Sequence, residues 1–153
     1  MNWHIDLPDL AATNTLGVRI AGALRTPLVI GLIGDLGVGK TALVRALIQS
    51  LSPGMRVKSP TYSLIESYEL GALNVHHLDL YRLRHSDELV ELGLAELLEP
   101  SALMLIEWPE KGGDQTPPLD LTIHLSRLDD NRRQAEFTAR TEAGRCFCRG
   151  VAP

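Results

Sequence analysis

The stretch that most constrains the fold is LVIGLIGDLGVGKTALVRAL, residues 28–47. Leu28 to Ile33 is a short apolar run of the kind found in strands buried on both faces. Gly34-Asp35-Leu36-Gly37-Val38-Gly39-Lys40-Thr41 then fits G-x-x-x-x-G-K-[ST]. Thr41 to Leu51 reads as a helix stopped by Ser52-Pro53-Gly54. Strand, glycine-rich turn and helix, in that order, are the setting in which such a turn holds phosphates. Glycines let successive backbone N–H groups point into one concavity, and the helix adds its positive end. Lys40 is then expected to reach the outer phosphates and Thr41 to offer its hydroxyl to Mg²⁺. The four fixed positions coincide by chance in about 1 of 200 chains of this length, so the motif is a real signal.

Around this unit the pattern predicts one α/β domain over residues 1–153 with a mixed sheet flanked by helices. Residues 10–24 carry Leu16, Ile20 and Leu24 at helical spacing, with Thr13 or Asn14 as the expected cap. SLIESYEL (63–70) and NVHHLDL (74–80) read as a hairpin around Gly71, and SDELVELGLAELL (86–98) as a helix capped by Ser86. Leu103 to Ile106 is a buried strand, 112–118 a loop, and 119–126 with 134–140 a terminal hairpin.

Composition removes several classes. A net charge of −4 leaves no basic stripe with which to grip nucleic acid directly. No run approaches a membrane span, and MNWHIDLPDL lacks the basic-then-apolar order of a secretory signal, which points to the cytoplasm. Cys146 and Cys148 would share a face if the tail were a strand, and they read as free thiols.

A phosphate loop needs an acid at a strand end to help hold its metal. Glu107 closes LMLIE and is preferred for that role; Asp79, in VHHLDLYRL, would orient the attacking water or sense the terminal phosphate. Asp79, His77 and Tyr81 share one face by the period of two, whereas His76 and His77 point apart and read as core or surface histidines. Ser59-Pro60-Thr61-Tyr62 is either a nucleotide-sensing loop or an ordinary turn. Trp108 reads as packing, and Arg132 and Arg133 as hairpin-tip charges that could also sit over a base. From the residues alone, a switch ATPase, a small-molecule kinase and a non-hydrolysing sensor all remain open. The absence of an N-K-x-D segment disfavours a GTPase.

GDLGVGKT, SPTYSLIESY, HHLDLYRL, ELGL and IEWPEK, in that order and spacing, resemble the TsaE family over roughly residues 6 to 145. These are small bacterial ATPases of tRNA threonylcarbamoyladenosine biosynthesis. The resemblance implies a P-loop fold, ATP and Mg²⁺ as ligands, and TsaD and TsaB as partners that modify adenosine 37, with tRNA met through that complex. By position it implies phosphate binding by Gly34, Asp35, Leu36, Gly37, Val38, Gly39, Lys40 and Thr41, with Thr41 and Glu107 on Mg²⁺. It places Thr13 near the nucleotide, and Arg133 (or Arg132) near the base. It associates Asp79, Tyr81 and Arg82 with hydrolysis and partner contact, and the loop of Ser59 and Thr61 with switching. On this reading the enzyme is a Mg-dependent ATPase, weak until its partners complete it. The terminal hairpin and the cysteine tail match no motif.

Overall fold

The computed structural model describes residues 2–153. Its centre is a seven-stranded mixed sheet in the order β1-β7-β6-β2-β5-β4-β3. The strands are β1 (Asn2–Leu7), β2 (Leu28–Ile33), β3 (Ile65–Leu70), β4 (Leu73–Asp79), β5 (Ala102–Glu107), β6 (Leu121–Arg127) and β7 (Arg133–Ala139). β2, β4, β5 and β6 run parallel, while β3, β7 and β1 extend the two sides antiparallel. β2 and β5 read as unbroken apolar runs because helices cover both of their faces.

One face carries α1 (Leu10–Ala23), α2 (Lys40–Leu51) and α5 (Glu142–Val151). Leu16 and Ile20, then Leu43, Val44, Leu47 and Ile48, and Phe147 with Val151 form one core with Leu32, Leu105 and Phe137 of the sheet. Gly17 lets α1 and α2 touch backbone to backbone: a Cβ there would lie 2.6 Å from the Ala46 Cβ. The opposite face holds a smaller cluster, in which α3 (Glu88–Glu91) and α4 (Leu94–Leu97) place Leu89 and Leu94 against Leu78, Met104 and Ile106.

Several expectations need correction. The cap of α1 is Asp9, whose carboxylate accepts the Ala12 N–H at 2.9 Å; Thr13 lies a turn further in and is buried. The helix expected over 86–98 is two short pieces, because Gly93 takes a left-handed conformation (φ 63°) between them. Residues 109–115 form 3-10 turns, interrupted at Gly113, where a loop was expected from 112 onward. Cys146 and Cys148 lie on α5, so they point apart; Cys146 is exposed and Cys148 buried. Thr141 caps that helix by accepting the Gly144 N–H at 3.1 Å, and its hydroxyl donates to Asp120 at 2.6 Å. β1 had no counterpart in the sequence reading. Trp3, Ile5 and Leu7 turn inward, and Trp3 stacks on Phe137 with centroids 4.2 Å apart.

Candidate functional site

The carboxyl ends of β2, β5 and β4 open on one edge, where ligands of parallel sheets gather. The loop after β2 wraps the start of α2, and Gly34, Gly37 and Gly39 all have positive φ. Gly39 caps α2 and brings no side chain, so nothing of its own takes up the first N–H groups of the helix. That leaves a cradle of backbone donors and a helix positive end, which suits an anion.

Lys40 is buried, its ammonium donating to the carbonyl of Gly34 and, at 3.3 Å, to that of Asp35. It also lies 4.2 Å from the ring centroid of Trp108. Trp108 is therefore more than packing: at φ 56° it is one of two non-glycine residues with positive φ among those described, and it walls the lysine. Burial pushes the Lys40 pKa down, while Glu107 and Asp79 pull it back up.

Because β4 and β5 are in register at Asp79 and Glu107, the two acids are neighbours, and both are buried. Together with Lys40, Thr41, Thr61 and Trp108 they line a cleft of about 200 Å³. Burial raises the Asp79 pKa, offset in part by the Tyr81 N–H, which donates to its Oδ1 at 3.0 Å. Glu107 Oε2 accepts the Thr41 hydroxyl at 3.1 Å and lies 2.6 Å from His77 Nε2. His77 is fully buried, and its Nδ1 has no partner. A carboxylate oxygen accepts, so Nε2 is the nitrogen that donates in this bond, and Nδ1 is left without a partner.

A second cleft, of about 370 Å³, lies across the loop and shares Gly37, Gly39 and Ala42 with the first. Its walls are Asp9, Leu10 and Thr13 of the α1 start, and Asp130, Asn131 and Arg133 of the β6–β7 turn. Arg133 is fixed there by its Nε–H to the Val38 carbonyl at 3.2 Å. Thr13 and Arg133, far apart in sequence, are thus brought together beside the loop.

The segment around residues 59–62 borders the acid cleft. The Ser59 and Thr61 hydroxyls are 2.7 Å apart, and Thr61 faces Lys40 and Asp79. Tyr81 and Arg82 lie outside the cleft. Tyr81 leans on Trp108 with centroids 5.1 Å apart, and Arg82 sits 4.6 Å over the ring of Tyr62, which is 85% exposed. Several features escaped the sequence reading, first the bond of His77 to Glu107, then the contact of Trp108 with Lys40 and the placing of Asp9, Leu10, Asp130 and Asn131 in a cleft wall. The period-two face of β4 was a signal for the first, but its partner depended on register with β5.

The donors fit a nucleoside polyphosphate with a hard divalent ion. Mg²⁺ is held by one or two protein oxygens plus phosphates, which the Thr41 hydroxyl and the Glu107 carboxylate could supply. The described residues include no group of three or more His, Cys, Asp or Glu placed to hold a metal ion. No helix among them is long and apolar enough to cross a membrane.

A family model described as threonylcarbamoyl adenosine biosynthesis protein TsaE matches residues 7–135. The chain belongs to the TsaE family. The tRNA threonylcarbamoyladenosine biosynthesis protein TsaE of Haemophilus influenzae is 38% identical over 144 residues, covering 91% of this chain and 90% of that protein. The protein of the same name from Bacillus subtilis is 37% identical over 139 residues, with 91% and 85% covered. The crystal structure of Bacillus subtilis YdiB superposes with a TM-score of 0.82 and 25% identity over 99% of this chain and 95% of that one. The span matched to the TsaE model includes the phosphate loop, both acids, Thr61 and Arg133, and it stops before α5.

Proposed function

We propose that this chain binds and hydrolyses ATP with Mg²⁺ and serves tRNA threonylcarbamoyladenosine modification as a switch on a TsaD–TsaB pair. The observation that carries this is the two clefts joined across the start of α2. Thr13 and Arg133 would receive the nucleoside on one side, and Lys40, Thr41, Asp79 and Glu107 would handle the outer phosphates on the other. Residues 1–153 would act as one P-loop unit in the cytoplasm, meeting tRNA only through the partners.

Bound Mg²⁺ would neutralise charge on the phosphates. The chain's residues do the rest. Loop N–H groups from Gly34 to Thr41 hold phosphate oxygens, and Lys40 exchanges the Gly34 and Asp35 carbonyls for them. Thr41 and Glu107 hold the ion, and Asp79 orients the attacking water. Thr61 and Ser59 border that position, with Tyr81 and Arg82 beside them, so the state of the terminal phosphate can be read out at the surface by ordering these segments.

The test is phosphate release from ATP by the purified chain, alone and with a TsaB–TsaD pair. Slow turnover alone, clear stimulation by the pair, and loss of both in Glu107→Gln are the expected results. Binding of the pair without any stimulation would overturn the switch ATPase in favour of a sensor.

A further inference from the structure

We propose that His77 is a positioning residue for Glu107, holding one carboxylate oxygen so that the other is presented to the metal. The inference rests on the reading of Glu107 as the metal-holding acid. Glu107 Oε2 already takes two hydrogen bonds, from Thr41 at 3.1 Å and from His77 Nε2 at 2.6 Å. Oε1 takes none from the protein, yet it is not among the buried unpaired atoms of the described residues, so it is the oxygen that meets the cleft. A glutamate at the end of a strand has three side-chain torsions to fix. The hydroxyl of Thr41 cannot fix them alone, because it has a single O–H to give and one hydrogen bond leaves the carboxylate free to turn about it.

His77 suits this task because it cannot move. It is fully buried on β4, and its strand is locked in parallel register to β5, with His77 opposite Leu105. A buried imidazole with one nitrogen unpartnered is a costly core filler, and an apolar side chain would pack there without that cost. What the imidazole adds is one directed N–H, and that N–H goes to Glu107. Groups that orient metal ligands from behind typically change metal affinity 10- to 100-fold when removed. Asp79 follows two residues later on the same strand face, so β4 delivers both the positioning donor and the second acid.

The test compares His77→Gln, whose amide N–H can replace Nε2–H, with His77→Leu, which fills the space without a donor. Mg²⁺ is titrated calorimetrically into each full-length protein loaded with a non-hydrolysable ATP analogue. His77→Leu is expected to weaken Mg²⁺ at least about 10-fold while metal-free binding of the analogue holds within about 2-fold, and His77→Gln to recover to within about 3-fold. Thermal melts identify any variant that fails to fold, and ¹⁵N NMR of the wild-type protein reads the same arrangement without metal or nucleotide, with the proton expected on Nε2. Unchanged Mg²⁺ affinity in a folded His77→Leu, or a proton on Nδ1 alone, would overturn the role of His77. Glu107→Gln, run alongside, separates the failures: if it too leaves Mg²⁺ binding unchanged, the metal assignment of Glu107 falls and the proposal with it.

Discussion

Gly34 and Gly37 both lie in the phosphate loop at positive φ, yet alanine should affect them very differently. At Gly34 (φ 150°) a Cβ would come 2.5 Å from the Leu125 carbonyl oxygen and 2.8 Å from a Val38 methyl. The carbonyl belongs to β6 and cannot swing away. Backbone strain of about 1–3 kcal/mol and overpacking of about 1–3 kcal/mol combine to roughly 2–6 kcal/mol. At Gly37 (φ 78°) nothing lies within 4 Å of the added carbon, so only the left-handed conformation is penalised, by about 1–2 kcal/mol. In a chain of this size about 1 kcal/mol corresponds to roughly 2–4 °C of melting temperature. Taking the middle of each range, the two differ by about 2.5 kcal/mol, so melting followed by circular dichroism without nucleotide should place Gly34→Ala about 5–10 °C below Gly37→Ala. Equal melting, or the reverse order, would mean that the close approach of the loop to β6 is wrong.

Three further variants probe the site and its support. Asp79 has its folded pKa raised by burial, so ionising it opposes folding; that penalty is absent below the ordinary value near 3.8 and complete above the folded value. Asp79→Asn should thus melt higher than wild type at pH 7, with the difference closing toward pH 4 in a melting series. In α1, Gly17→Ala collides with Ala46 and Leu47 and should lower stability by about 1–2 kcal/mol, after a helix-propensity gain offsets part of the overpacking. Gly22→Ala, with open space around it, should raise stability by about 0.5–1 kcal/mol in denaturant titrations.

What was legible in the sequence shares a cause: local pattern strong enough to need no partner. The β2–loop–α2 unit, the β3–β4 hairpin and the β5 run all carry their own periodicity or turn residues, and all form where expected. Glu107 stood out in the sequence because it closes the apolar run LMLIE, and Asp79 because it shares a strand face with His77 and Tyr81. α5 was missed although Thr141, Glu142 and Arg149 mark its start and end, because its buried set is thin: Gly144, Phe147, Cys148 and Val151. β1 was missed because its alternation covers only three inward residues, whose meaning depends on β7. The break at Gly93 went unread for a related reason, since a lone glycine inside a helical pattern is usually tolerated. His77 shows the limit most clearly: its face was predictable, but the identity of what it touches is a fact about register between strands.

The pairing of β1 has a consequence for how the chain is made. β1 finds its partner strand more than a hundred residues downstream, and Asp9, Leu10 and Thr13 face Asp130, Asn131 and Arg133 across one cleft. On the ribosome the phosphate loop leaves the exit tunnel well before the far wall of its neighbouring cleft, which is synthesised later. A nascent chain thus cannot build that cleft until β7 has emerged, and a ligand seated there would clasp together two segments made far apart in time.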